Sequence, residues 1–80
     1  ITLYPNPNTG KFILEGSILY NGSVQLEISN ALGQVEYTGE LVTENNSLHK
    51  EMELSHPTPG IYFLKIKTAD GTGVIRFTVR

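Results

Sequence analysis

Pro59-Gly60 followed by Ile61-Tyr62-Phe63-Leu64-Lys65-Ile66-Lys67 constrains this chain more than any other stretch. The Pro-Gly pair breaks whatever precedes it, and the β-branched and aromatic run after it is long enough to cross a sheet. Read with the two-residue period of a strand, Tyr62, Leu64 and Ile66 share one face, while Ile61, Phe63, Lys65 and Lys67 share the other. The first face is core. The second grows more polar along the strand and is half exposed, so the run predicts a central strand that needs neighbours on both sides.

The rest of the chain supplies them. Pro5 and Pro7 hold the backbone extended and withhold two amide donors, which restricts residues 1–7 to an edge or to a strand leading into a turn at Asn8-Thr9-Gly10. Residues 11–15 alternate Phe12 and Leu14 with Lys11, Ile13 and Glu15, a short strand ended by Gly16. After the Asn21-Gly22 turn signal, Val24, Leu26 and Ile28 alternate with Gln25, Glu27 and Ser29. A turn at Asn30-Ala31-Leu32-Gly33 and an inward Val35 and Tyr37 make residues 23–38 a predicted hairpin, with Gly39 marking a bulge before Leu41 and Val42.

A polar loop over Glu44-Asn45-Asn46-Ser47 leads to residues 48–54, where Leu48 and Met52 fit a helix by their spacing of four. Leu48, Met52 and Leu54 also share one face of a strand. Strand is the preferred reading, since a lone helical turn would interrupt a continuous β pattern. Asp70-Gly71 turns the chain once more into a last strand with Ile75, Phe77 and Val79 inward. About seven short strands with turns at intervals of ~8 to 12 residues predict an all-β fold, an antiparallel sandwich.

A chain of 80 residues makes one domain. Such a domain buries only ~60% or a little more of its unfolded surface. It contains no cysteine, so neither disulfides nor a Cys-based zinc site adds to its stability. A net charge of -2 argues against a nucleic-acid binder. The charge is uneven: residues 61–80 carry Lys65, Lys67, Arg76 and Arg80 against Asp70 alone. No apolar run approaches the ~18 residues of a membrane helix. The start at Ile1, with Met52 the only methionine, reads as a piece of a longer protein.

Catalytic chemistry finds little footing. A nucleophilic triad needs an imidazole and an orienting carboxylate, and His49 and His56 are the only imidazoles. His49, Glu51 and Glu53 would share one face of a strand, but residues four apart on a strand are separated by ~13 Å and cannot all reach one ion. They read as the solvent face of the strand whose core face is Leu48, Met52 and Leu54. Tyr4, Tyr20, Tyr37 and Tyr62 are scattered in sequence and read as core or rim packing rather than a sugar platform. The glycines have no phosphate-loop spacing. No enzyme, metal or cofactor is expected.

Taken together, Leu3-Tyr4-Pro5-Asn6-Pro7 with Gly10 and Phe12, Ile28-Ser29-Asn30-Ala31-Leu32-Gly33-Gln34-Val35, Leu54-Ser55 leading into Pro59-Gly60-Ile61-Tyr62, and a closing strand resemble the type A C-terminal sorting domain of type IX (Por) secretion cargo. The motifs keep the family's order over nearly the whole chain. Arg76 stands where such domains commonly carry lysine, a change that keeps the charge but alters its hydrogen-bond geometry.

The resemblance implies an immunoglobulin-like antiparallel β-sandwich and one sorting domain over residues 1–80, an address label at the end of a larger exported protein. That protein would pass through the periplasm and outer membrane to the cell surface or the medium. The implied partners are the type IX machinery, including an outer-membrane shuttle and a sortase-like protease, with no cofactor and no small-molecule substrate. The residues carried forward for recognition are Pro5, Asn6, Pro7, Gly10, Gly60, Tyr62, Arg76 and Arg80. The last two lie on the polar face of the closing strand, whose outer edge is expected to be exposed. A non-catalytic carbohydrate- or protein-binding module and a structural spacer are the alternatives on the same sandwich.

Overall fold

A computed structural model of the protein describes residues 1–18, 21–43 and 45–80. Seven strands follow one another: β1 (Thr2–Tyr4), β2 (Lys11–Ser17), β3 (Gly22–Asn30), β4 (Val35–Thr43), β5 (Ser47–Glu53), β6 (Gly60–Thr68) and β7 (Gly71–Val79). No helix occurs among the described residues. The strands form two antiparallel sheets, a three-stranded one in the order β1-β2-β5 and a four-stranded one in the order β4-β3-β6-β7. This is the antiparallel sandwich that the alternation predicts, with the three- and four-stranded sheets of the immunoglobulin-like type that the resemblance implies.

Both sheets give their inner faces to one core. Leu3, Phe12, Leu14, Met52 and Leu54 come from the smaller sheet and its flank, and Val24, Leu26, Ile28, Tyr62, Leu64, Ile66, Phe77 and Val79 from the larger. Phe77 joins the two: its ring lies 4.8 Å from Phe12 across the sandwich and 5.7 Å from Tyr62 on the neighbouring strand. Such pairs add to the area that each ring buries. Residues 48–54 take the strand reading, with Leu48, Met52 and Leu54 buried.

Four local expectations are corrected. Val35 is exposed rather than inward. Ile28 pairs with Tyr37 but Ser29 pairs with Val35, so Glu36 is the extra residue of a bulge that turns Val35 to solvent. The bulge is therefore not at Gly39, which stands in register opposite Leu26 beneath the Tyr37 ring, where a Cβ would come within 2.9 Å of the ring carbon that bears the hydroxyl. β2 does not stop at Gly16, because Gly16 and Ser17 still pair with Leu48 and Ser47. Ile75 is only half-buried, packed against the core at one end of the sandwich. Tyr20 and Glu44, read above as packing and loop, lie outside the described residues.

Candidate functional site

The proline-rich start is less extended than its composition predicts. β1 is an edge strand and ends at Tyr4; residues 5–7 are a bend, with both X–Pro bonds cis. The bend crosses from the smaller sheet to the larger and lies along the outer edge of β7. Asn6 accepts the Thr78 amide on Oδ1 at 3.0 Å, and its Nδ2 donates to the Arg76 carbonyl at 3.4 Å. The Asn8 backbone donates to the Thr78 carbonyl and accepts from the Arg80 amide, both at 2.9 Å, as a parallel bridge beside Val79. Two residues thus occupy the edge from Arg76 to Arg80.

Asn8 is held as firmly as it holds. Its side chain is 2% exposed; Nδ2 donates to the Pro5 carbonyl at 3.0 Å and Oδ1 accepts from the Gly10 amide at 2.9 Å. A buried amide with both ends bonded avoids the penalty of an orphaned polar group. Gly10 has a φ of +104°, and a Cβ there would lie 2.7 Å from Pro57 Cγ. Its carbonyl accepts from Leu54 at 2.8 Å, which ties the bend to the end of β5. Only glycine combines that backbone angle with that approach.

Gly60 and Tyr62 reach the same end of β7 from the other side. Gly60 pairs with Val79 and Tyr62 with Phe77. Gly60 has a φ of +150° in open space, so the backbone angle selects glycine there. The Tyr62 ring is buried, and its hydroxyl donates to the Thr58 carbonyl at 2.7 Å, fixing the loop that enters β6. Pro5, Asn6, Pro7, Gly10, Gly60 and Tyr62, distant in sequence, therefore assemble around the last turn of chain. Each either touches β7 or shapes a segment that does.

A model of the secretion system C-terminal sorting domain family matches residues 2–80. The chain belongs to that family. Comparison with curated proteins gave no match. The family match favours the sorting reading over the binding-module and spacer readings: the domain is the C-terminal signal that directs type IX cargo across the outer membrane.

In this sorting domain the motif residues build a clasp, while the exposed chemistry lies beside it on the outer face of the larger sheet. Cross-strand rows there read Ser29–Phe63–Arg76, Glu27–Lys65–Val74 and Gln25–Lys67–Thr72. Glu27 and Glu40 make the β3–β4 half acidic, and Lys65, Lys67 and Arg76 make the β6–β7 half basic. Ile61, Phe63 and Val74 stand exposed among the basic side chains. None of the three cations is in an ion pair among the described residues, where the pairs are Lys11 with Glu53 and His49 with Glu15.

The opposite face holds a smaller network. Glu15 on β2 accepts from the Tyr4 hydroxyl at 3.2 Å and meets His49 Nδ1 at 2.7 Å. Desolvation first, then the charge of Glu15 and its hydrogen bond, raise the Tyr4 phenol above its ordinary value. His49, Glu51 and Glu53 lie on this solvent face of β5, and no three metal-binding side chains converge among the described residues.

Sequence reasoning missed Asn8, Thr78 and the exposure of Val74. Asn8 carried only a turn signal, since nothing local reveals that a side chain will be buried by a strand at the far end of the chain. Val74 sits on the solvent face by strict alternation from Ile75, so its position was available from the period.

Proposed function

We propose that the sorting machinery reads this domain on the basic and apolar β6–β7 face, and that the family's motif residues serve it by holding β7 in place. Residues 1–80 then form one module ending a larger exported protein. The outer-membrane shuttle docks on Arg76, Lys65 and Lys67 with Phe63 and Val74 between them, and the sortase-like protease acts on the chain preceding the module. The cargo passes through the periplasm and finishes on the cell surface or in the medium. In this reading Pro5, Asn6, Pro7, Gly10, Gly60 and Tyr62 position the recognised strand, Arg76 contacts the partner directly, and Arg80 anchors through its backbone while its charge adds to the same field.

The observation that carries the reading is at Arg76: its carbonyl is fixed by Asn6 while its side chain stays exposed on the basic face. A charge whose strand is already held contributes to recognition at the cost of ordering its side chain alone, with no backbone to order. The test is a reporter carrying an inner-membrane export signal, with residues 1–80 fused to its C-terminus, in a type IX host. The wild-type fusion should reach the surface or medium. Arg76→Glu should accumulate in the periplasm with an unchanged melting temperature, since exposed substitutions shift stability by about 0.5 kcal/mol or less. Export of Arg76→Glu at the wild-type level would remove this face from the mechanism.

A further inference from the structure

The clasp occupies only half of the β7 edge. In an antiparallel pair alternate residues turn their N–H and C=O groups toward the partner strand, and those between turn theirs away. On β7 the outward residues are the even ones, as Arg76, Thr78 and Arg80 demonstrate by bonding to Asn6 and Asn8. Thr72 and Val74 continue that line. Their outward amides and carbonyls, and the Arg76 amide, meet no backbone or side-chain partner among the described residues.

Edges are ordinarily guarded by shortness, charge, proline or a bulge. β1 is three residues long and runs into Pro5. β5 carries His49, Lys50, Glu51 and Glu53, and β4 carries Glu40 and the bulge at Glu36. Residues 71–75, Gly-Thr-Gly-Val-Ile, have none of these devices, and β7 pairs with β6 in unbroken register from Gly60↔Val79 to Thr68↔Gly71. The same edge already accepts a strand-like neighbour further along, at the Asn8–Val79 bridge.

What lies on either side of that edge specifies a guest. On the core side an open, mainly apolar cleft of about 470 Å³ is lined by Ile1, Ile18, Ile66 and Ile75, with Thr68 and Asp70 also in its wall. On the outer side stand Val74, Lys65, Lys67 and Arg76. A strand added here would point alternate side chains into an apolar cleft and toward three unpaired cations.

We propose that residues 71–76 of β7 receive an added β-strand from a partner protein, an extended segment that alternates apolar with acidic side chains. The inference rests on the β6–β7 face being the recognised one and names how it is engaged: main-chain bonds supply affinity, the apolar cleft sets register, and the cations select acidic residues.

The test uses residues 1–80 and a synthetic peptide of about six residues alternating valine with glutamate, a typical strand length. Addition of the peptide should protect the Thr72, Val74 and Arg76 amides from hydrogen exchange. Binding should weaken at least about tenfold when alternate peptide nitrogens are methylated, when glutamate is replaced by lysine, or in Val74→Pro. Val74 turns its N–H away from β6, so that proline leaves the β6–β7 ladder intact, and an unchanged melting curve checks this. The methylated peptide tests the same edge without altering the protein. Failure to bind, or binding indifferent to methylation, overturns the proposal; so does a self-associated protein that Val74→Pro converts to monomer, since the guest would then be a second copy. A wild-type fusion that is exported although the peptide does not bind overturns the added strand and keeps the sorting face. Peptide binding by a fusion that Arg76→Glu leaves fully exported keeps the strand site and overturns the face reading.

Discussion

The Asn6 side chain accepts the Thr78 amide at 3.0 Å across 72 positions of chain, so the start of the domain completes the edge of its last strand. Asn6→Ala removes that bond and the weaker one to Arg76 from an exposed site, at about 0.5–1.5 kcal/mol. Asn8→Ala should cost more, about 1–3 kcal/mol, because it strips the buried Gly10 amide of its acceptor. Thermal unfolding should separate the two, at roughly 4–8 °C per kcal/mol for a domain of this size. Equal melting temperatures would mean that the clasp is not held through Asn8.

The two glycines around the clasp should fail differently. Gly60→Ala meets open space and pays only for a backbone angle that suits glycine, about 1–3 kcal/mol. Gly10→Ala meets the same kind of strain and also collides with Pro57, so its loss should be larger. Adding Pro57→Ala should recover part of the loss at Gly10 and none at Gly60. The double-mutant cycle measures this directly, and an absence of coupling between positions 10 and 57 would show that the contact is not limiting.

At Tyr62 the ring and its hydroxyl have separable roles. Tyr62→Ala empties a fully buried aromatic site beside Phe77 and should cost about 3–5 kcal/mol. Tyr62→Phe keeps the packing and loses the bond to the Thr58 carbonyl and the longer one, 3.3 Å, with the Thr58 hydroxyl, each worth about 0.5–1.5 kcal/mol. Hydrogen exchange in residues 55–60 should rise in Tyr62→Phe, since that loop loses its tether. A loop as protected as in wild type would assign the hydroxyl no role there.

These residues also mark what could be read before folding. Alternation found the inner faces of β3, β6 and β7 because each runs in unbroken register against β6 or its neighbours, where a period of two survives from end to end. It failed at Val35, where one extra residue, Glu36, reverses the faces, and no composition rule locates a bulge. It overstated Ile75, which has the inward phase but sits over the open cleft near Ile1 and Ile18, where the sandwich ends. The recognition candidates were legible as a set and not as a mechanism. Pro5, Asn6 and Gly10 announced a turn, but their contact with Arg76, Thr78 and Pro57 depends on how the two sheets close.

Tyr4 gives the domain an alkaline dependence. Its folded phenol is raised above the ordinary value, so the folded state retains the proton longer than the unfolded chain does. That contribution is complete below about pH 10, the unfolded value, and is lost as pH rises through the folded one. Tyr4→Phe should flatten stability against pH in that alkaline window, and Glu15→Gln should do so in part, since it removes the charge but leaves the desolvation and an amide oxygen that can still accept from the phenol. Parallel wild-type and Tyr4→Phe profiles above pH 10 would contradict this linkage.

Recognition by charge on one face predicts an asymmetry between the two faces of the sandwich. Lys65 is a poor probe, because Lys65→Glu would stand directly opposite Glu27 and cost stability through like charges across the strands. Lys67 pairs with Gln25 on one side and Thr72 on the other, so Lys67→Glu reverses the charge without that penalty. Glu51→Lys makes a change of the same size on the solvent face of β5, opposite Ile13. Both variants should fold with melting temperatures close to wild type, surface changes of this kind being worth about 0.5 kcal/mol or less. Export of the fused reporter should fall in Lys67→Glu and stay at the wild-type level in Glu51→Lys. Arg76→Lys, which keeps the charge, should also be exported. Lys67→Glu lowers the net charge by two and Glu51→Lys raises it by two, so equal loss in both would mean that the machinery does not single out the β6–β7 face.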